Sequence, residues 1–75
     1  MIIVSYPLKL NSREMDERIA LAIGKEPERS RAGFGMRDLE FYNVTKRMVM
    51  KKLKEAGITV KSGLISGLVY ISELE

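Results

Sequence analysis

Two stretches of helical periodicity, near residues 12–23 and 43–56, are each framed by short runs of β-branched and aromatic residues. That alternation confines a 75-residue chain to the few folds that lay helices on a small sheet. The first run, Ile2-Ile3-Val4-Ser5-Tyr6, ends at Pro7, which has no N–H to give to a ladder. Its near-continuous apolar character suits a central strand. Asn11 and Glu14 are spaced as an N-cap and its reciprocal carboxylate, with Leu10 and Met15 placed as a hydrophobic staple. A helix from about Ser12 to Ile23 follows, with Met15, Ile19, Ala22 and Ile23 as its apolar stripe and Gly24 and Pro27 as its stop. Leu21 points away from that stripe. It reads as a lone surface leucine, or alternatively as an oligomer contact.

Residues 25 to 36 are turn-rich, with Pro27, Ser30, Gly33 and Gly35 among Arg29 and Arg31. They form a long loop, or a loop and a short edge strand over 29–34 turning at Gly33-Phe34-Gly35. So long a structureless stretch is unusual in a small domain, which favours the strand. Arg37 to Asn43 alternates, with Leu39 and Phe41 on one face and Asp38, Glu40 and Tyr42 on the other, as a half-buried strand does. Asn43 is expected to open a second helix that runs to about Ala56 and ends at Gly57. Val49, Leu53 and Ala56 form its core stripe, Met48 and Met50 its rims, and Arg47, Lys51 and Lys54 its outward face. Two β runs close the chain, Ile58 to Ser62 and Leu68 to Leu74, with Ser62-Gly63 and Ser66-Gly67 as turns between them.

The expected fold is one α+β domain over residues 1–75. It is a two-layer ferredoxin-like plait, with two helices on one face of a four- or five-stranded, mostly antiparallel sheet. Its expected core is Val4, Ile19, Ile23, Leu39, Phe41, Val49, Leu53 and Val60, with Val69 or Tyr70. If 29–34 were only loop, the first two long strands would instead run parallel through a right-handed crossover. A chain this short buries only about 60% of the surface its unfolded form exposes, so its stability is expected to be a few kcal/mol.

Absent residue types narrow the chemistry. Cys, His and Trp do not occur. Thiol nucleophiles, imidazole acid–base catalysis, disulfides and ordinary zinc, haem or iron–sulfur sites are thereby removed. No apolar run approaches the roughly 20 residues of a membrane span, and residues 1–10 do not read as a signal peptide, so a cytoplasmic protein with no membrane partner is expected. Asp38 and Glu40 lie about 6.5 to 7 Å apart at Cα on one strand face. Such a pair can bind Mg²⁺ or serve as acid and base. Alternation on a solvated strand face explains it at less cost, so no enzyme, cofactor or metal is expected.

The charge distribution is the stronger signal. Residues 29–61 hold nine basic and three acidic side chains, whereas residues 1–28 hold four basic and five acidic ones. Lys46 and Arg47 stand in the first turn of the second helix, where the helix dipole prefers carboxylates and where a bound anion would be favoured instead. The plain account of this helix is a solvated face that keeps a small protein soluble. The functional account is polyanion binding, with nucleic acid as the partner, through Arg29, Arg31, Phe34, Arg37, Lys46, Arg47, Lys51 and Lys54. In the turn, glycines allow close backbone approach, arginines meet phosphates and Phe34 can stack on a base. The competing account tucks Phe34 onto the core edge. One continuous positive patch is expected if the turn folds near the second helix. A dimeric regulatory or protein-interaction domain, associating through a sheet edge or Leu21, is the alternative.

Gly33-Phe34-Gly35 ahead of a strand resembles the Gly-Phe/Tyr-Gly-Phe part of the RNA-recognition motif, a likeness that implies base stacking by Phe34. The aromatic alternation of that motif is missing, and Asp38 and Glu40 occupy the strand on which bases would lie. The first strand is also similar to that of small CRISPR-associated ferredoxin-like nucleases. Pro7 stands in place of their metal-binding Asp, and the likeness goes no further.

Overall fold

The computed structural model describes residues 1–61 and 67–74. The elements are β1 (Ile2–Pro7), α1 (Ser12–Ile23), β2 (Arg29–Gly33), β3 (Met36–Phe41), α2 (Lys46–Glu55) and β4 (Tyr70–Glu73). The strands form one open sheet in the order β2-β3-β1-β4, and each neighbouring pair is antiparallel. The protein is thus α+β, two helices with a four-stranded antiparallel sheet, and its strand order is compatible with a ferredoxin-like plait. β1 lies in the interior of the sheet, as its apolar run requires. Because residues 29–33 do form a strand, β1 and β3 run antiparallel and the parallel crossover does not arise.

Local signals set α1. Asn11 stays extended and its side chain accepts a hydrogen bond from Glu14 N at 3.2 Å, while Gly24 takes the left-handed conformation (φ 89) and its N–H reaches Ala20 O at 2.8 Å. An L-residue with a Cβ is disfavoured there, which is why glycine stops this helix. α2 begins later than its sequence suggests. Asn43 adopts φ 59 instead of capping, and Thr45 is the N-cap, its Oγ1 accepting from Met48 N at 3.1 Å. Asn tolerates the left-handed region, so it serves to turn the chain off β3.

One face of the sheet carries the core. Ile2, Val4 and Tyr6 of β1 stand beside Phe41, Leu39 and Arg37 of β3 in register. Met15, Ile19 and Ile23 of α1 and Val49 and Leu53 of α2 close over them, joined by Ile58 and Val69. Val60 is only half-buried against this cluster, and of the pair Val69 and Tyr70 the valine turns inward. Ala56, placed on the core stripe by its spacing, is exposed just past the end of α2. Over the described residues 58–61, the expected strand at 58–62 reduces to a parallel bridge, Val60 to Val69, and the last strand shortens to Tyr70–Glu73. Of the expected turns at Ser62-Gly63 and Ser66-Gly67, residues 62–66 lie outside the described residues. Gly67 is required by space: a Cβ there would run into the backbone of Val60 and Lys61.

Candidate functional site

The register divides the polar side chains between two faces. On the helix-covered face, Arg37 is held by Asp16 of α1, its Nε 2.9 Å and its Nη2 2.8 Å from Asp16 Oδ2. Nη2 also reaches Ser30 Oγ at 3.3 Å. The Tyr6 hydroxyl donates to Asp16 and lies 3.0 Å from the carbonyl of Ser12. Burial, reinforced by the Asp16 carboxylate, pushes the Tyr6 phenol up to about 12. Arg37 therefore ties β3 to α1, its guanidinium engaged by Asp16.

The opposite face presents Ile3, Ser5, Asp38, Glu40, Arg29, Arg31, Tyr70 and Ser72, as the pairings of β1 with β3 and β4 and of β2 with β3 dictate. Glu40 is not on a solvated surface. It is 3% exposed, and its carboxylate meets Arg31 Nε at 3.4 Å. Alternation alone puts Glu40 outside, but β2 lays Arg29 directly opposite it and Arg31 diagonally across. Ser5 Oγ donates to Asp38 Oδ1 at 2.6 Å. The two carboxylates are thus held by neighbours on their own sheet. Among the described residues no three acidic side chains gather as a metal site would need.

This open face is concave between the hairpin and β4, a space of about 520 Å³ with Ser5, Met36, Asp38, Tyr70 and Ser72 lining it and Phe34 on its rim. Phe34 is not tucked onto the core edge. It is fully exposed at the tip of the two-residue turn between Gly33 and Met36, where both central residues, Phe34 (φ 52) and Gly35 (φ 74), take positive φ. That is the primed hairpin turn, whose twist matches the flanking strands and whose usual residues are Asn, Asp and Gly. Tyr70, 39% exposed, bears the Lys61 ammonium 4.9 Å from its ring centroid and 3.1 Å from its hydroxyl.

The basic helix stands elsewhere. α2 packs against α1 and β4, whereas β2 is the opposite edge of the sheet, and Arg29 and Arg31 face away from the helix layer. The structure therefore does not bring the hairpin arginines and the α2 cations into one patch. Within α2 itself, Lys46, Arg47, Lys51, Lys52 and Lys54 are all exposed, and none forms an ion pair among the described residues, whereas Arg13, Lys25, Arg31 and Arg37 each have a carboxylate partner. The helix is held on its inner side by the buried Val49 and Leu53, with Met48 half-buried beside them. No helix of the described residues is long and apolar enough to cross a membrane. The sequence could have revealed Ser5 and Tyr70 only through the cross-strand register, which brings them onto one face with Asp38. No family model, curated protein or solved structure matches the chain.

Proposed function

We propose that this protein is a small, non-catalytic binding module of the ferredoxin-like plait type, cytoplasmic, that binds nucleic acid through the outer face of α2. The observation that carries the reading is the charge state of that helix. Five cations stand on ten residues with Glu55 as the one acid, and none has a carboxylate partner among the described residues. Lys46 and Arg47 oppose the helix dipole, so they reduce helix stability by a few tenths of a kcal/mol each unless an anion binds there. Phosphates supply that anion, and their neutralisation releases counterions. Asp38 and Glu40, engaged by Ser5 and Arg31, are read as structural.

The test is a triple variant, Arg47, Lys51 and Lys54 to Gln, checked for fold by circular dichroism and for duplex binding at two salt concentrations. Each phosphate contact removed should lower the salt slope by about one. An unchanged affinity and slope would sink the reading. Self-association is the second reading, favoured by Leu21, which is 84% exposed beside a shallow depression of about 460 Å³ lined by Ala20, Gly24 and Lys25. Sedimentation as a monomer at high concentration would remove it.

A further inference from the structure

We infer that the open face of the sheet takes unpaired bases of a single-stranded nucleic acid, with one base on Phe34 and one on Tyr70, while the phosphates are held at Lys61 and α2. This rests on the polyanion reading of α2 and adds the substrate class and a second contact surface. Three observations carry it. The first is Phe34, a bulky residue held fully exposed at φ 52, in a position where Asn or Gly costs less. Its ring meets no core, so the fold gains nothing from it. A backbone conformation of this kind, in a bulky side chain, is characteristic of a site that needs that side chain presented.

The second observation is the concavity itself. Phe34 stands on its rim and Tyr70 on its β4 side, with Ser5, Asp38 and Ser72 as polar groups for base edges between them. Flat rings flanking a polar floor suit bases, whose π-faces stack on aromatics whatever their sequence. The third is charge. Of the two carboxylates of this face, Glu40 is paired with Arg31, and Asp38 keeps its charge, one oxygen accepting from Ser5 and the other left to accept from a base amino group, while Lys61 lies 4.9 Å from the Tyr70 ring. Lys61 lies on the connection between α2 and β4, and α2 packs on β4. A single strand therefore has a cationic route from the α2 face, round the β4 edge, onto Tyr70. A duplex is too stiff for that turn and has no free base faces to offer.

The experiment measures binding of a short oligothymidylate, a duplex of the same length and polyglutamate to the wild type, to Phe34→Ala with Tyr70→Ala, and to the Arg47, Lys51, Lys54 to Gln variant. Unfolding midpoints are measured in parallel. The wild type should prefer the single strand. The aromatic variant should lose about 5- to 150-fold for each stacked base on oligothymidylate, with duplex and polyglutamate binding and the salt slope unchanged. The α2 variant should weaken all three ligands and lower the salt slope by about two. Equal binding of single strand and duplex, with no effect of the aromatic variant, would overturn the open-face assignment and leave the α2 reading standing. Polyglutamate binding that depends on Phe34 and Tyr70 would overturn it in favour of a peptide partner. Concentration-dependent shifts of the Phe34 and Tyr70 ring protons without nucleic acid would overturn it in favour of a second copy. Absence of binding to every polyanion would overturn both readings.

Discussion

Phe34→Asn should make this protein more stable, although it deletes an aromatic residue. The side chain is fully exposed, so truncating it removes no buried apolar surface. Its backbone sits at φ 52, in the left-handed region that costs an L-residue roughly 1 to 2 kcal/mol and that Asn tolerates far better. The preceding Gly33 pairs with Met36, so the turn has the two-residue primed geometry for which Asn-Gly is the favoured sequence, and Gly35 already supplies the second half at φ 74. A gain of about 0.5 to 1 kcal/mol follows. For a domain of this size that corresponds to a rise in Tm of roughly 2 to 8 °C. Urea unfolding followed by far-ultraviolet circular dichroism checks it: the midpoint should rise with an unchanged m value, by about 0.5 to 1 M if m is near 1 kcal/mol/M. A midpoint that falls, or stays where it was, would mean that Phe34 serves the fold at this turn and is not held there for a ligand. The same variant should bind oligothymidylate more weakly. Higher stability with unchanged binding would separate the turn chemistry from the function.

Other perturbations test other parts of the structure. Burial and the Asp16 carboxylate push the Tyr6 phenol up to about 12 from an ordinary 10.0, so the stability tied to its protonated form is complete below pH 10 and is lost as pH rises through 12. Ultraviolet titration should therefore show a late tyrosine step that Tyr6→Phe removes; a titration unchanged by Tyr6→Phe would contradict it. Leu53→Ala, at a fully buried position, should cost about 2 to 5 kcal/mol, enough to unfold most of the population at 25 °C. Gly67→Ala should cost about 1 to 3 kcal/mol by forcing the backbone of Val60 and Lys61 away, and amide exchange should report loss of the Lys61 N to Val69 O hydrogen bond, 2.8 Å here. Arg47→Glu should raise the unfolding free energy by a few tenths of a kcal/mol through the helix dipole while weakening polyanion binding, and a variant that is both less stable and equally tight-binding would refute the assignment.

Features that act over a few residues are legible in the order of amino acids. Asn11, the stripe of Met15, Ile19 and Ile23, and Gly24 specify α1 end to end, because cap hydrogen bonds and helical periodicity involve neighbours within one or two turns. The inward facing of Leu39 and Phe41, the basic outer stripe of α2 and the hairpin at Gly33-Phe34-Gly35 were legible for the same reason. The rest depends on strand pairing between residues far apart in the chain. Burial of Glu40 depends on β2 laying Arg29 and Arg31 beside it, so alternation along β3 alone misplaces that carboxylate. The choice between Asn43 and Thr45 as the cap of α2 turned on where β3 ends, since Asn serves a left-handed turn as readily as a cap. Arg37 was diverted to Asp16 by the packing of α1 on the sheet. The strand order β2-β3-β1-β4 then set the hairpin arginines and the α2 cations on opposite faces and near opposite edges, and it left Tyr70, Ser5 and Phe34 around one concavity. Side-chain type is local information, whereas the face of a sheet on which two residues meet is fixed by register, a property of the whole fold.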